Sequence, residues 1–243
     1  MNNTLITIIT VSYNSVSSIE ETILSVISQT YKNIEYIIID GGSTDGTVDI
    51  IKKYQDRISY WISEPDRGIF DAMNKGVEKA TGKWINFMNC GDSFYSINTI
   101  QEFVKLASID NGVIYGDVNV VKGKNEYLNK SSDIEKITRN LPFCHQSSFT
   151  STVILKEKKF NLNFKLCADY NFFYTLYKEN KKFQQIPLTI ANFEAQTGVS
   201  STNISQLKKE IQAITGRNKW SVDFEYAMRN LKNVILKWGK IKV

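Results

Sequence analysis

Polar and acidic side chains recur in four clusters along the first 95 residues, and each cluster follows a short apolar run. The clusters are Tyr13-Asn14, Asp40 to Asp45, Glu64 to Arg67 and Asn89 to Asp92. One such cluster would be an ordinary turn, because Asp, Asn and Gly all favour turns. Four clusters that combine carboxylates, an arginine and an aromatic ring are better explained by a ligand-binding site.

Alternating strands and helices explain how separate clusters could meet. Apolar, β-branched runs predict four strands, at residues 5–11, 36–39, 58–63 and 84–88. Helical spacing of apolar residues predicts intervening helices at residues 19–27, 48–54 and 69–80. This order is typical of an α/β fold in which helices flank a mostly parallel central sheet. Ligands bind beyond the carboxyl ends of the strands in such sheets, and all four clusters follow strand ends.

The second half of the chain is less regular, but it continues the same domain. Two helices and two strands are predicted there, at residues 98–108, 113–121, 169–178 and 183–193. We expect one domain over residues 1–203, with a change of role near residue 95 between halves 1–95 and 96–203. Residues 204–243 are predicted to form a basic, amphipathic helical tail.

Three ordered segments resemble the nucleotide-binding segments of family-2 glycosyltransferases. They are TVSYN at residues 10–14, IIDGGSTDGT at residues 38–47 and SEPDRGIFDAMNKG at residues 63–76. Each segment alone is a weak signal, but the ordered set is specific. The resemblance is strong over residues 4–95 and looser over 110–200. It implies a GT-A α/β fold and the inverting transfer of a sugar from a nucleotide-diphosphate-sugar, with a UDP-sugar as the expected donor.

The resemblance also assigns residues to the donor. It implies that the nucleoside is bound by four residues, Thr10, Tyr13, Asn14 and Asp40. Tyr13 could offer an aromatic face to the base, and Asp40 could accept a hydrogen bond from an imide N–H or contact ribose. Helix entry and turn formation are the alternatives for these positions. Asp66 and Arg67 are further donor-binding candidates, since an arginine could neutralise diphosphate charge.

A metal site is expected at Met88-Asn89-Cys90-Gly91-Asp92. GT-A enzymes usually hold Mn²⁺ or Mg²⁺ through a DxD-like motif after the fourth strand, where the ion stabilises the leaving diphosphate. Only the last acid of that motif is present. Asp92 is therefore the predicted ligand, together with water and phosphate oxygens. Asn89 could supply a neutral oxygen or bind the sugar, and Asp92 could instead cap a helix.

The acceptor side is expected to supply a general base. In the family, an acid that opens a helix removes the acceptor proton, and Asp169 in Cys167-Ala168-Asp169-Tyr170-Asn171 matches that pattern. Helix capping is the alternative reading of Asp169. His145 and Gln146 are candidate acceptor or sugar contacts, and metal ligation is an alternative for the histidine. Asp117 is a lesser candidate, for donor-sugar hydroxyls.

The tail carries the positive charge. Residues 217–243 hold seven lysine or arginine residues and two acids, which accounts for the whole net charge of +5. The neutral body argues against a nucleic-acid-binding surface. An apolar stripe runs along the tail through Trp220, Phe224, Met228, Leu231, Ile235 and Trp238. Such a stripe could lie on an anionic membrane surface, or it could pack on the body or on another subunit.

Other function classes lose support. The chain has neither a GxxxxGK(S/T) loop nor a GxGxxG fingerprint, so kinase-like and nicotinamide-dependent readings are disfavoured. It has no signal-peptide pattern and no apolar run of the ~18 residues that a membrane span needs. We expect a cytoplasmic protein, with peripheral contact at the inner face of the membrane through the tail. The remaining alternative is a non-catalytic sugar-nucleotide-binding or scaffold protein, which the incomplete acidic motif motivates.

Overall fold

The computed structural model describes residues 3–195 and 203–225. Its strands are β1 (Ile6–Ser12), β2 (Ile34–Asp40), β3 (Tyr60–Ser63), β4 (Trp84–Phe87), β5 (Ser93–Phe94), β6 (Val113–Lys122), β7 (Asn125–Asn129), β8 (Ser148–Ser151) and β9 (Phe183–Glu194). Its α-helices are α1 (Ile19–Ile27), α2 (Thr47–Lys53), α3 (Ile69–Lys79), α4 (Thr99–Leu106), α5 (Thr152–Lys158), α6 (Ala168–Lys178) and α7 (Ile204–Thr215). Short 3₁₀ turns lie at Gln55–Arg57, Ile134–Thr138 and His145–Ser147, and residues 219–225 are helical.

Within the described ranges the strands form one sheet, in the order β3-β2-β1-β4-β8-β6-β9-β5, with β7 paired to β6. The first four strands pair in parallel. β8 then runs antiparallel between β4 and β6, and β6 pairs in parallel with β9. The predicted α/β class is therefore confirmed, and the second half of the sheet is mixed rather than parallel.

Two apolar layers cover the two faces of the sheet. The alternation of β1 shows the division, because Ile6 and Ile8 pack with α1, α2 and α4, whereas Ile9 and Val11 pack with α3, α5 and α6. These side chains are at most 6% exposed. Each fully buried isoleucine stabilises the fold by about 1.5–3 kcal/mol relative to an exposed one, so the two layers hold the strand ends in fixed positions.

The C-terminal helices lie against the body as far as they are described. α7 packs Leu207, Ile211 and Ile214 against the layer that also contains α6. Val222, from the helical residues 219–225, is only 1% exposed. The rest of the predicted tail stripe, from Met228 onward, lies outside the described residues. No helix within the described ranges is long and apolar enough to cross a membrane.

Candidate active site

Asp40 organises the carboxyl ends of the first three strands. Its carboxylate has no exposed surface. It accepts hydrogen bonds from the Ser12 hydroxyl on β1 at 2.9 Å and the Ser63 hydroxyl on β3 at 2.6 Å. It also accepts the backbone N–H groups of Gly42 and Ser43 and the Ser43 hydroxyl. Burial alone would raise the pKa of Asp40, but these hydrogen bonds outweigh burial and hold the pKa below its usual range.

The predicted contact of Asp40 with the nucleotide base stays a prediction, and it would require one serine hydroxyl to turn away from the carboxylate.

Thr10 is the first of the four predicted nucleoside-binding residues along the chain. Its side chain is fully buried, and its hydroxyl donates to the Met88 carbonyl at 2.7 Å and lies 3.0 Å from the Tyr36 hydroxyl. The pleat of β1 places the Thr10 side chain on the face that Ile6 and Ile8 also occupy, and a role of Thr10 in nucleoside binding stays a prediction.

Asn14 holds two loops together beside this point. It adopts a left-handed backbone conformation with φ +47°, which asparagine tolerates better than most residues. Its N–H donates to the Ser43 hydroxyl at 2.8 Å, and its Oδ1 accepts the Thr44 N–H at 2.9 Å. The preceding Tyr13 is 65% exposed, so its ring is free to receive a flat ligand such as a nucleotide base.

Gly41 lies between Tyr13 and Asp66. A Cβ added at Gly41 would come within 3.3 Å of the Tyr13 ring and 2.5 Å of Asp66 Oδ2. The side chains of Tyr13 and Asp66 therefore both lie close to the backbone of Gly41 and leave no room for a side chain there. The neighbouring Arg67 side chain is 75% exposed, and one guanidinium nitrogen lies 2.8 Å from Asp71 Oδ1. The structure thus brings Tyr13, Asp66 and Arg67 to one edge of the sheet, where the remaining guanidinium donors are open to an anion.

Asp92 lies at the end of β4, in a turn with Asn89. Its N–H donates to the Asn89 carbonyl at 3.0 Å. Its carboxylate is buried and accepts the Gln146 side-chain amide at 2.8 Å and the Glu194 backbone N–H at 3.0 Å. Burial raises the pKa of Asp92 to about 7. Asn89 Oδ1 is also buried, and it has no hydrogen-bond partner in the structure.

The 3₁₀ turn His145–Ser147 connects the two predicted acids. Gln146 donates to Asp92, and the adjacent His145 places Nδ1 3.8 Å from Asp169 Oδ2. The Ser147 hydroxyl lies 3.1 Å from the Gly116 carbonyl on β6, which anchors the turn to the sheet. Consecutive side chains of one short turn therefore face the donor-side acid and the acceptor-side acid.

His145 itself lies in an aromatic enclosure. Its ring centroid is 5.1 Å from that of Phe87, 5.6 Å from that of Phe160 and 5.7 Å from that of Phe173. Burial lowers the pKa of His145 to about 4, so the imidazole is neutral at pH 7. One imidazole nitrogen, Nδ1, lies 3.8 Å from Asp169 Oδ2, and the alternative in which His145 ligates a metal stays a prediction.

The residues around Asp92 suit one kind of metal binding only. No group of three or more His, Cys, Asp or Glu side chains that could hold a metal occurs among the described residues. Mg²⁺ is often held by one carboxylate together with water and substrate phosphates. Asp92 and the unpartnered Asn89 Oδ1 fit an ion of that kind, carried mainly by the diphosphate. They do not fit a site built from protein ligands alone.

Asp169 is the second residue of α6. Its Oδ1 accepts the Tyr170 N–H at 2.8 Å, and its side chain is 23% exposed. Burial raises the pKa of Asp169 to about 6, and the negative charge of Glu210 adds to this effect. The carboxylate is therefore mostly ionised at pH 7, yet basic enough to accept a proton from a substrate hydroxyl.

Asp117 lies at an irregularity of β6 and anchors a loop. Its Oδ1 accepts the backbone N–H of Ser131 at 2.8 Å and the Ser131 hydroxyl at 2.9 Å. The preceding Gly116 has no room for a side chain, since an added Cβ would lie 2.3 Å from the Leu188 carbonyl. A contact between Asp117 and the donor sugar stays a prediction.

Glu210 is a residue that the sequence reasoning missed. It is 4% exposed, and its carboxylate accepts the backbone N–H groups of Lys165, Leu166 and Cys167, immediately before α6. A signal was present, because the apolar residues of α7 recur at three- and four-residue spacing and position 210 falls on that same face. An acid on the buried face of a helix needs partners.

Comparison with known proteins places the chain among sugar transferases. The family model "Glycosyl transferase family 2" matches residues 7–181. The "PGL/p-HBAD biosynthesis glycosyltransferase" of Mycobacterium bovis (strain BCG) is 29% identical over 154 residues, which is 61% of this chain and 60% of the relative. The matched part of the chain covers 66% of one curated relative and 60% of another, which is less than two thirds of the length of each.

Two solved structures show the same fold. S. aureus TarS 1-349 in complex with UDP-GlcNAc matches with a TM-score of 0.68 and 18% identity, over 86% of this chain and 66% of that one. The mannosyltransferase PcManGT of Pyrobaculum calidifontis, in complex with GDP-Man and Mn²⁺, matches with a TM-score of 0.67 and 18% identity, over 93% of this chain and 64% of that one. These likenesses confirm the predicted GT-A architecture.

Proposed function

Since this chain belongs to glycosyl transferase family 2, we propose that it moves a sugar from a nucleotide-diphosphate-sugar, a UDP-sugar by preference, to a saccharide or lipid-linked acceptor. The transfer inverts the anomeric carbon and serves the biosynthesis of surface polysaccharide or glycolipid. Support comes from the similar proteins, which include a "PGL/p-HBAD biosynthesis glycosyltransferase" and structures in complex with UDP-GlcNAc and with GDP-Man.

The observation that carries this proposal is the turn His145–Ser147. Within this turn, Gln146 donates a hydrogen bond to Asp92, the proposed donor-side acid, and the adjacent His145 lies 3.8 Å from Asp169, the proposed acceptor-side acid. A single-displacement transfer needs such an arrangement, with the leaving diphosphate on one side of the sugar and the proton acceptor on the other.

The chemistry follows from the state of each group. The nucleotide base stacks on the ring of Tyr13, and the diphosphate lies near the guanidinium of Arg67. The acceptor hydroxyl oxygen forms the new bond to the anomeric carbon while the ionised Asp169 takes its proton. The bond between that carbon and the diphosphate oxygen breaks, and the nucleoside diphosphate leaves with the electron pair. His145 beside Asp169 is uncharged, so it does not form an ion pair with the Asp169 carboxylate.

A divalent ion, Mn²⁺ or Mg²⁺, belongs to the same proposal. Asp92 and Asn89 are the residues that would hold it, with Gln146 turning away from the carboxylate. The ion would supply positive charge to the departing diphosphate. Such a role agrees with the Mn²⁺ present in the mannosyltransferase complex.

Replacement of Asp169, the proposed general base, tests the proposal. We expect Asp169→Asn to bind UDP as tightly as the wild-type protein and to lose transfer by about 10²–10⁴-fold, measured with a panel of nucleotide sugars. Asp110→Asn is the matched control, because that side chain is 96% exposed. Full transfer by Asp169→Asn would remove this mechanism. If the wild-type protein bound nucleotide but turned over none of the donors, the result would favour the non-catalytic alternative.

We also propose peripheral contact with an anionic membrane surface, on the cytoplasmic side, through residues 217–243. Trp220 is 85% exposed and Phe224 is 68% exposed, one helical turn apart. The same segment carries the whole net charge of +5. Aromatic side chains beside basic ones favour the interface of an anionic bilayer, where a lipid-linked acceptor would be found.

A further inference from the structure

We propose that Glu210 is a positioning residue that fixes the catalytic base from a distant helix. The inference rests on the proposed function, because it concerns the placement of Asp169. Glu210 lies on α7, beyond the segment 7–181 that matches the family model. It nevertheless reaches the start of α6, where the base lies.

The carboxylate of Glu210 is used on both oxygens. Oε1 accepts the Lys165 N–H at 3.0 Å and the Gln206 side-chain amide at 2.9 Å. Oε2 accepts the Leu166 N–H at 3.0 Å and the Cys167 N–H at 2.9 Å. Burial alone would raise the pKa of Glu210, but these hydrogen bonds outweigh burial and keep the carboxylate ionised.

This contact anchors the backbone that leads into α6 to another helix. The N-cap residue Cys167 makes no side-chain capping bond, although the first amides of a helix need acceptors. Glu210 satisfies the three amides that lead into the helix, and its negative charge suits the positive end of the helix dipole. Of these three residues only Cys167 belongs to the helix start, as its N-cap, so Glu210 fixes the backbone that enters α6.

Asp169 depends on this anchor because it has few restraints of its own. Its hydrogen bond to the Tyr170 amide lies within the same first turn, and its distance to His145 is too long for a hydrogen bond. The direction of the carboxylate is therefore set by where the first turn of α6 begins. Small displacements of a reacting group cost rate steeply.

Glu210→Gln tests the inference with little change in shape. A glutamine keeps one acceptor oxygen but replaces the other with an NH₂ group, which is a donor. At least one of the backbone N–H groups of residues 165–167 therefore loses its acceptor. Lys209→Gln, at an exposed neighbouring position on α7, is the matched control. For Glu210→Gln we expect kcat to fall by about tenfold to a hundredfold, with an unchanged KM for the nucleotide sugar. Amide hydrogen exchange of residues 165–170 should accelerate in this variant only.

Two results would overturn the inference: wild-type kcat with wild-type exchange at residues 165–167, or a loss of exchange protection spread over the whole chain. Gln206→Ala is a milder second variant, because it removes only one of the four hydrogen bonds. It should show a smaller change in the same direction. If the wild-type protein transferred no sugar, the proposed function would fail, while the exchange measurement would still decide whether Glu210 holds the start of α6.

Discussion

At the scale of single residues, the site combines an acid of raised pKa with a histidine of lowered pKa. Burial moves the pKa of Asp169 up to about 6 and that of His145 down to about 4. Between these values the two groups favour their uncharged forms, so no stable ion pair joins them. Above about pH 6 the aspartate alone is charged, which is the state that a general base requires.

The pH dependence of transfer follows from this ordering. The pKa of Asp169 lies above the ordinary aspartate value of about 3.9, so the base becomes protonated, and inactive, as the pH falls through about 6. We expect kcat/KM to be about one tenth of its plateau near pH 5 and to level off above about pH 7. A pH–rate profile measures this, with a circular-dichroism check of folding at each pH. A flat profile across that range would contradict the assignment of Asp169.

At the scale of elements, the buried carboxylate of Asp40 holds three strand ends and one loop together. The carboxylate of Asp40 joins β1, β2 and β3 through Ser12 and Ser63, and it fixes the loop that begins at Gly41. A buried carboxylate with several donors stabilises strongly, because its removal leaves those donors unsatisfied.

Asp40→Ala should therefore lower stability far more than replacement of an exposed acid in the same half. We expect a loss of about 3 kcal/mol in the free energy of unfolding, as for other broken buried networks. Urea denaturation followed by tryptophan fluorescence gives the value. The control is Asp49→Ala, whose side chain is 85% exposed in the wild-type protein and should change stability little. Equal effects of the two substitutions would show that the Asp40 network is energetically unimportant.

The sequence could predict those elements whose signal is local. Apolar runs and helical spacing place β1 to β4 and α1 to α3 because each pattern lies within one element. β8 has the sequence SFTS and β5 has two residues, so neither shows a periodic apolar pattern. The direction of the Thr10 hydroxyl could not be predicted, because every residue of β1 is buried and a strand buried on both faces does not reveal which way a side chain points.

The partners of the site residues could not be predicted in the same way. Asp92 bonds Gln146 and Glu194, which lie 54 and 102 positions further along the chain. Contacts at such separations follow from the crossing of β8 between β4 and β6, and from the pairing of β5 with β9. Those pairings depend on strands that carry little sequence signal. The positions of Asp40 and Asp92 after strand ends could thus be predicted from the sequence, but their hydrogen-bond partners could not.

At the scale of the whole molecule, the C-terminal part is fastened to the body and also presents an apolar surface. The Arg217 guanidinium donates to the Arg139 carbonyl of the body at 3.1 Å. Two ion pairs, Lys208–Asp223 at 2.7 Å and Arg217–Glu225 at 2.8 Å, then hold the C-terminal part together internally. The buried Val222 lies between the exposed Trp220 and Phe224 in sequence. One side of this short helical segment is therefore held inward while the aromatic side faces outward.

The membrane proposal is best tested on that outward side. The double variant Trp220→Ser and Phe224→Ser should bind vesicles containing anionic lipid about tenfold or more weakly than the wild-type protein, because it removes two aromatic side chains and no charge. Vesicle sedimentation measures the change. Val153→Ser, at a 67% exposed position on α5, controls for general loss of apolar surface. Undiminished binding by the double variant would exclude these aromatic residues as the membrane contact.

The anchor that Glu210 provides at the start of α6 has a consequence for recombination between relatives. A chimera joined at residue 181, where the family match ends, would inherit Asp169 from one parent and α7 from the other. Such a hybrid would keep a complete set of reacting groups and still turn over slowly, unless the second parent brought an equivalent acid. Swaps intended to alter acceptor choice should therefore exchange α6 and α7 together.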